Sequence, residues 1–176
     1  MTTTRTYIRR LERWIIDATP RDIEQAARWY EDARAVAYDV AERRRVDLES
    51  AAAIVAAFSP RVTWKRNVHL ARAYAAGEPV ACLGASLRAA DRATAHGLEA
   101  LTAPKVRSFA QAIAGDPDAV VVDVWICRAA GLKKIAPTIT QYRRISEAIT
   151  KLARRHGMTP RTMQALIWIK VRGKAD

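Results

Sequence analysis

The stretch "TPRDIEQAARWYEDARAVAYDVAERRR", residues 19–45, decides the fold class. Thr19 is a residue type that caps a helix start, and Pro20 suits the first helical position because its missing N–H is one the helix leaves unpaired there. Ile23, Ala27, Tyr30, Ala33, Ala37 and Val40 then recur every three or four residues, the period of a single helix face. A helix of that length needs partners to cover its face, and the flanking sequence supplies them.

Toward the C-terminus, Asp47 can cap "LESAAAIVAAF", which stops at Ser59-Pro60 and is apolar on all sides, as a buried central helix is. Thr63 opens "WKRNVHLARAYAAG" and Gly77 closes it. Further helices are predicted around "GASLRAADRATAHG", closed by Gly97, and over "PKVRSFAQAIAGD". After the extended "AVVV" come a helix from about Val124 to Ala130, then "TQYRRISEAITKLARRHG" and "TPRTMQALIWIKVRG". No pair of alternating strand patterns occurs. The prediction is all-α, a compact bundle of roughly seven to nine helices. Residues 1–176 read as one domain, since no repeat, low-complexity tract or linker divides them.

Half of the residues are apolar and 27% are charged, which fits a folded chain and excludes general disorder. The net charge of +12 and a sequence pI near 10.4 suit a protein that meets a polyanion. Residues 133–176 hold eleven Lys or Arg against two acids, a net +9, and the first 132 residues carry only +3. The competing explanation is a solubilising, arginine-rich surface. Cys82 and Cys127 match neither a metal spacing nor a disulfide framework, and His69 and His96 stand without acidic or cysteine partners at ligand spacing. We therefore expect no metal and no cofactor. The N-terminus "MTTTRTYIRRLERW" lacks an apolar core segment, and the longest apolar run has eight residues. The expectation is a monomer in the cytoplasm with no membrane partner.

The segment "DAVVVDVWICR", residues 118–128, holds one carboxylate, Asp123, in an apolar run. Burying an ionised carboxylate costs several kcal/mol, roughly, unless it is paired or hydrogen-bonded. A helix from Lys105 to about Ala114 climbs about 14 Å. The extended chain from Asp118 returns about 16 Å to Asp123. That estimate puts Asp123 level with Lys105, a possible ion pair. Asp123 also precedes a helix, where backbone N–H groups and the helix dipole favour its charge without any chemistry.

These residues resemble a known family. "VVDVWICRAAG" is similar to the Val-Asp-Thr-His-Val, Arg, Gly signature of the helix-hairpin-helix DNA glycosylase superfamily. Lys105, eighteen positions before Asp123, matches the family's nucleophilic lysine in place and spacing. "IVAAFSPRVTWKRNVHLA" is similar to the family's Leu-Ser-x-Gln-Thr helix-turn-helix, with Ser59, Thr63, Val68 and Ala71 in step. The three motifs keep the family's order over residues 54–131.

The resemblance implies a DNA-glycosylase-like helical fold and a DNA partner, duplex or locally opened. It also implies excision of a flipped modified or damaged base, with Asp123 as catalytic carboxylate and Lys105 as Schiff-base nucleophile. Ser59 and Trp125 would lie in the base pocket, and Arg61 stands where the family often has an intercalating Gln. The chain departs from the family at Thr102-Ala103-Pro104, where Gly-x-Gly is usual, since proline removes an N–H donor and no glycine permits close approach to a phosphate. Trp125 replaces the usual His. "SPRVTWKRN" and the C-terminal "TPRTMQALIWIKVRG" also resemble small phage proteins of this fold, some linked to thymine hypermodification. A non-catalytic DNA-binding module on the same scaffold is the reading from another class.

Trp64, flanked by Lys65 and Arg66 after a loop, combines an aromatic with cations, as strand-binding surfaces do. Thr63 and Arg107 join this candidate set beside Arg61. Lys133, Lys134, Arg143, Arg144, Lys151, Arg154 and Arg155 are the candidate phosphate contacts, several at helical spacing. Trp14, Trp29, Tyr30 and Trp168 sit at core spacing and are expected to pack.

Overall fold

The computed structural model describes residues 2–133 and 136–173. Their regular structure is entirely helical. In chain order the elements are α1 (Thr4–Glu12), α2 (Pro20–Arg44), α3 (Leu48–Ala57), α4 (Trp64–Ala75), α5 (Gly84–His96), a 3-10 turn (Gly97–Ala100), α6 (Pro104–Ala114), α7 (Val124–Ala129), α8 (Ile139–Arg155) and α9 (Pro160–Arg172). Contacts divide the chain into two compact units, residues 1–29 with 117–175, and residues 30–116.

In the first unit α1 and α9 both pack on α8, and α7 packs on α9. Tyr7 and Leu11 of α1, Ile145, Ile149 and Leu152 of α8, and Met163 and Leu166 of α9 are all fully buried. The spacing of three and four residues in α8 is the apolar stripe that puts these side chains on one face. Residues 119–122 form no strand. Their backbone groups are met by a side chain: the Tyr142 hydroxyl of α8 donates to Val120 O at 3.0 Å and accepts from Val122 N at 3.3 Å.

The second unit is organised around α3, which packs against α5, α6, the 3-10 turn and α4. Every residue from Ser50 to Phe58 is buried. Five alanines in this helix let neighbouring backbones approach on all sides, which larger side chains would prevent. Asp47 caps it, accepting from Ser50 N at 2.7 Å, and Thr63 caps α4 in the same manner.

Three local expectations need correction, and one helix adds to those expected. The buried face of α2 runs through Ala26, Tyr30, Ala33, Ala37 and Val40, whereas Ala27 is exposed, because the stripe steps 4-3-4-3 from Ala26 and leaves Ala27 about 100° round the helix. Residues 4–12, to which the sequence pattern assigns no element, form α1, with Thr3 as N-cap. Helix α8 begins at Ile139, because Thr138 and Gln141 form a reciprocal capping box. Trp14 is 38% exposed, its indole tied to Ala129 O at 3.3 Å, so it is no core residue.

Candidate functional site

Asp123 is the N-cap of α7, and its carboxylate is half-buried. Oδ1 accepts from Trp125 N and from Ile126 N, both at 2.9 Å, and Oδ2 accepts from the Trp168 indole of α9, also at 2.9 Å. Three donors thus answer the cost of placing this acid among valines. A carboxylate offers about four acceptor positions, so about one remains for a water or a substrate group. The segment that delivers Asp123 is fixed one step earlier by Tyr142. Neither Trp168 nor Tyr142 stands near Asp123 in sequence, and sequence reading had no local signal for either as a positioning residue.

Beside the carboxylate, aromatic rings and guanidinium groups alternate. Arg128 lies 4.6 Å from the centre of the Trp125 ring, and Arg172 lies 5.8 Å from the same ring and 4.5 Å from that of Trp168. Trp29 continues the series, 5.6 Å from Trp168. Helical spacing explains the grouping, since Trp125 and Arg128 are three apart on α7 and Trp168 and Arg172 four apart on α9. Cations over indole faces attract through the ring quadrupole. Two positive charges therefore stand close to the Asp123 side of this unit. Burial, and secondarily the Asp123 charge, push the neighbouring Cys127 thiol up to about 11, so it stays protonated and inert.

Lys105 belongs to the second unit, whereas Asp123 belongs to the first. In its own surroundings Lys105 Nζ donates to Ser59 Oγ at 3.0 Å and lies 5.4 Å from the Phe109 ring centre. Trp64 and Tyr30 both meet Phe109 edge-on, at 6.3 and 6.5 Å. Ser59, Trp64 and Lys105, singled out separately in the sequence, are thus brought together around Phe109. Pro104 occupies the first turn of α6, as its fixed φ suits.

The remaining candidates are distributed. Arg61 is exposed with φ of 61°, in the bend between α3 and α4. Thr63 caps α4, Lys65 is exposed, and Arg66 donates to Ala81 O at 2.9 Å. Arg107 binds Leu98 O and pairs with Glu99 at 3.0 Å. On α8, Arg143 and Arg154 are exposed, Arg144 donates to Thr2 O, Lys151 pairs with Glu147 at 2.6 Å, and Arg155 lies 3.8 Å from Glu12. The stripe is therefore interrupted by an acid. Lys133 is exposed, and Lys134 lies outside the described residues.

Among the described residues no group of three or more His, Cys, Asp or Glu is placed to hold a metal ion, and no helix is long and apolar enough to cross a membrane. No curated protein and no solved structure matches the chain. Residues 1–175 match the "Family of unknown function (DUF7178)", and the chain belongs to that family.

Proposed function

We propose that this chain is a DNA-binding enzyme of the DNA N-glycosylase type, acting on a modified or damaged base flipped from the duplex, with Asp123 as its catalytic carboxylate. The observation that carries the reading is the Asp123 carboxylate itself, immobilised by three N–H donors with about one acceptor position left. When the bond between sugar and base breaks, its electron pair leaves with the base and positive charge develops on the sugar. A fixed carboxylate stabilises that charge without reorganising, and its remaining lone pair aligns a water for attack on the sugar carbon. The water's proton balances the departing base. The basic composition, +12 overall, supports a polyanionic partner.

Lys105 is the candidate amine of a bifunctional mechanism, in which neutral Nζ attacks the sugar carbon, the base leaves with its bonding pair and takes up a proton from the amine, and the sugar's ring C–O bond then opens, its oxygen protonated, to give the Schiff base. Borohydride traps such an intermediate as a covalent DNA adduct. An adduct with the native chain and none with Lys105→Ala assigns that mechanism; base release without an adduct assigns water as nucleophile.

The second reading, a DNA-binding module without catalysis, is favoured by Trp125, whose ring is covered by Arg128 where the resembled family has a histidine. Incubation with duplexes carrying a panel of modified bases separates the two. Abasic sites support the enzyme, and salt-sensitive binding without release from any duplex supports the module.

A further inference from the structure

Lys65, His69 and Arg72 of α4 and its C-cap Ala76 follow one another at steps of three or four along one side. With Arg43 near the end of α2 they line a cavity of about 360 Å³ within the second unit. Asp39 orients both arginines. Arg43 Nε donates to one carboxylate oxygen and Arg72 Nε to the other, each at 2.7 Å. A guanidinium held by Nε keeps four N–H donors on its two Nη groups for another acceptor. Lys65 adds a third cation, and it makes no ion pair among the described residues. Against these stand Asp39 and Glu78, and Glu42 also acts on Arg43, so the attraction rests on the directed N–H donors rather than on an excess of charge.

We propose that this cavity binds the phosphate group of a nucleotide unit. Two pre-oriented guanidinium forks suit a tetrahedral oxyanion, which accepts paired N–H donors, and the lysine supplies a mobile point charge. The volume exceeds what a bare anion fills and falls in the range of small-ligand sites, roughly 300–1,000 Å³. The apolar lining from Val68 and Ala73 offers a surface for the sugar that carries the phosphate. The phosphate has two sources, a free nucleotide or the backbone of a nucleic-acid strand. The proposal does not rest on the chemistry assigned to Asp123.

The test is an NMR titration of the full chain, each run at fixed ionic strength and the duplex runs repeated at several salt concentrations, following the Arg43 and Arg72 Nε–H and His69 ring signals. The probes are inorganic phosphate, a nucleoside monophosphate and a short DNA duplex. Saturable shifts of these signals are expected, with affinity about tenfold weaker in Arg72→Gln. Lys65→Gln, which leaves the Asp39 contacts intact, weakens binding severalfold and guards against a folding effect of the first variant. A response to the monophosphate alone identifies a free nucleotide. A response to the duplex, with a salt slope reduced by about one in the variants, identifies a backbone phosphate. Signals unmoved by all three probes, or equal affinity in both variants and the native chain, overturn the proposal.

Discussion

At the scale of single residues, Asp123 shows how a polar group is accommodated in an apolar run. Its backbone bonds to Trp125 and Ile126 are the ordinary N-cap arrangement and follow from its place before α7. That much was readable from the sequence. The third bond, from Trp168, joins positions 45 residues apart and depends on the packing of α7 on α9, which no local pattern encodes. Its spacing predicts Trp168 to be core, a role its half-buried ring fills only in part. If Trp168 positions Asp123 for chemistry, Trp168→Phe keeps most of the packing, removes the indole donor, and lowers kcat about tenfold with KM little changed. An unchanged kcat would make the contact purely structural. Cys127 provides an independent check on this neighbourhood. Because its pKa is pushed up to about 11 by burial and the Asp123 charge, a thiol reagent at neutral pH should modify Cys82 in the native chain and Cys127 only after unfolding.

The helices themselves were the most legible level, because caps and breakers act locally. Asp47, Thr63 and Thr159 hold the N-cap positions that their neighbours predict, and Gly115 and Gly173 close α6 and α9 with positive φ. Helix α1 escaped because its apolar positions are few among basic and hydroxyl residues, so its identity rests on packing against α8. Residue size governs α3. Ala52 is fully buried, and Ala52→Leu inserts three carbons where no space exists, for an expected loss of about 1–3 kcal/mol in chemical denaturation. Gly131 follows α7 with φ of 73°, and a Cβ there would meet Arg10 Nη1 at 2.9 Å, the group that binds Ala130 O. Gly131→Ala should cost about 1–2 kcal/mol from the backbone alone.

The Asp47 cap adds a pH signature to α3. Its bond from Ser50 N holds the carboxyl below its ordinary value of 3.8, so the folded state binds its proton less readily than the unfolded chain does. The contribution is therefore complete above the ordinary value and is lost as pH falls through the lower, folded one. Acid unfolding of Asp47→Ala should begin from a lower stability at neutral pH and depend less steeply on pH below about 4 than the native chain does. Identical slopes would show that the cap carries no linked proton.

For the whole molecule, the charge excess was plain in the composition, but its use was not. The α8 stripe reads as uniformly basic only if Glu147 is overlooked, and Glu147 binds Lys151 and the Thr4 hydroxyl directly and Arg143 only through charge, without a hydrogen bond. Arg143 and Arg154 are better placed to meet a phosphate. Converting both to Gln should lower the log–log salt slope of DNA binding by about two, whereas Lys151→Gln should change it by less than one. Equal slopes in all three proteins would mark α8 as ordinary surface.

The chain passes between the two units twice, once inside the continuous α2, where no sequence signal marks it, and once at the Asp116-Pro117 turn, which composition does mark. Chemistry at Asp123 is read out by single-turnover base release from a susceptible modified duplex. The native chain is expected to produce abasic sites, and Asp123→Asn, which keeps a cap and binds the duplex equally well, to release base at least about a hundredfold more slowly. Release at the native rate by Asp123→Asn, or none from any duplex in the panel by the native chain, would contradict it.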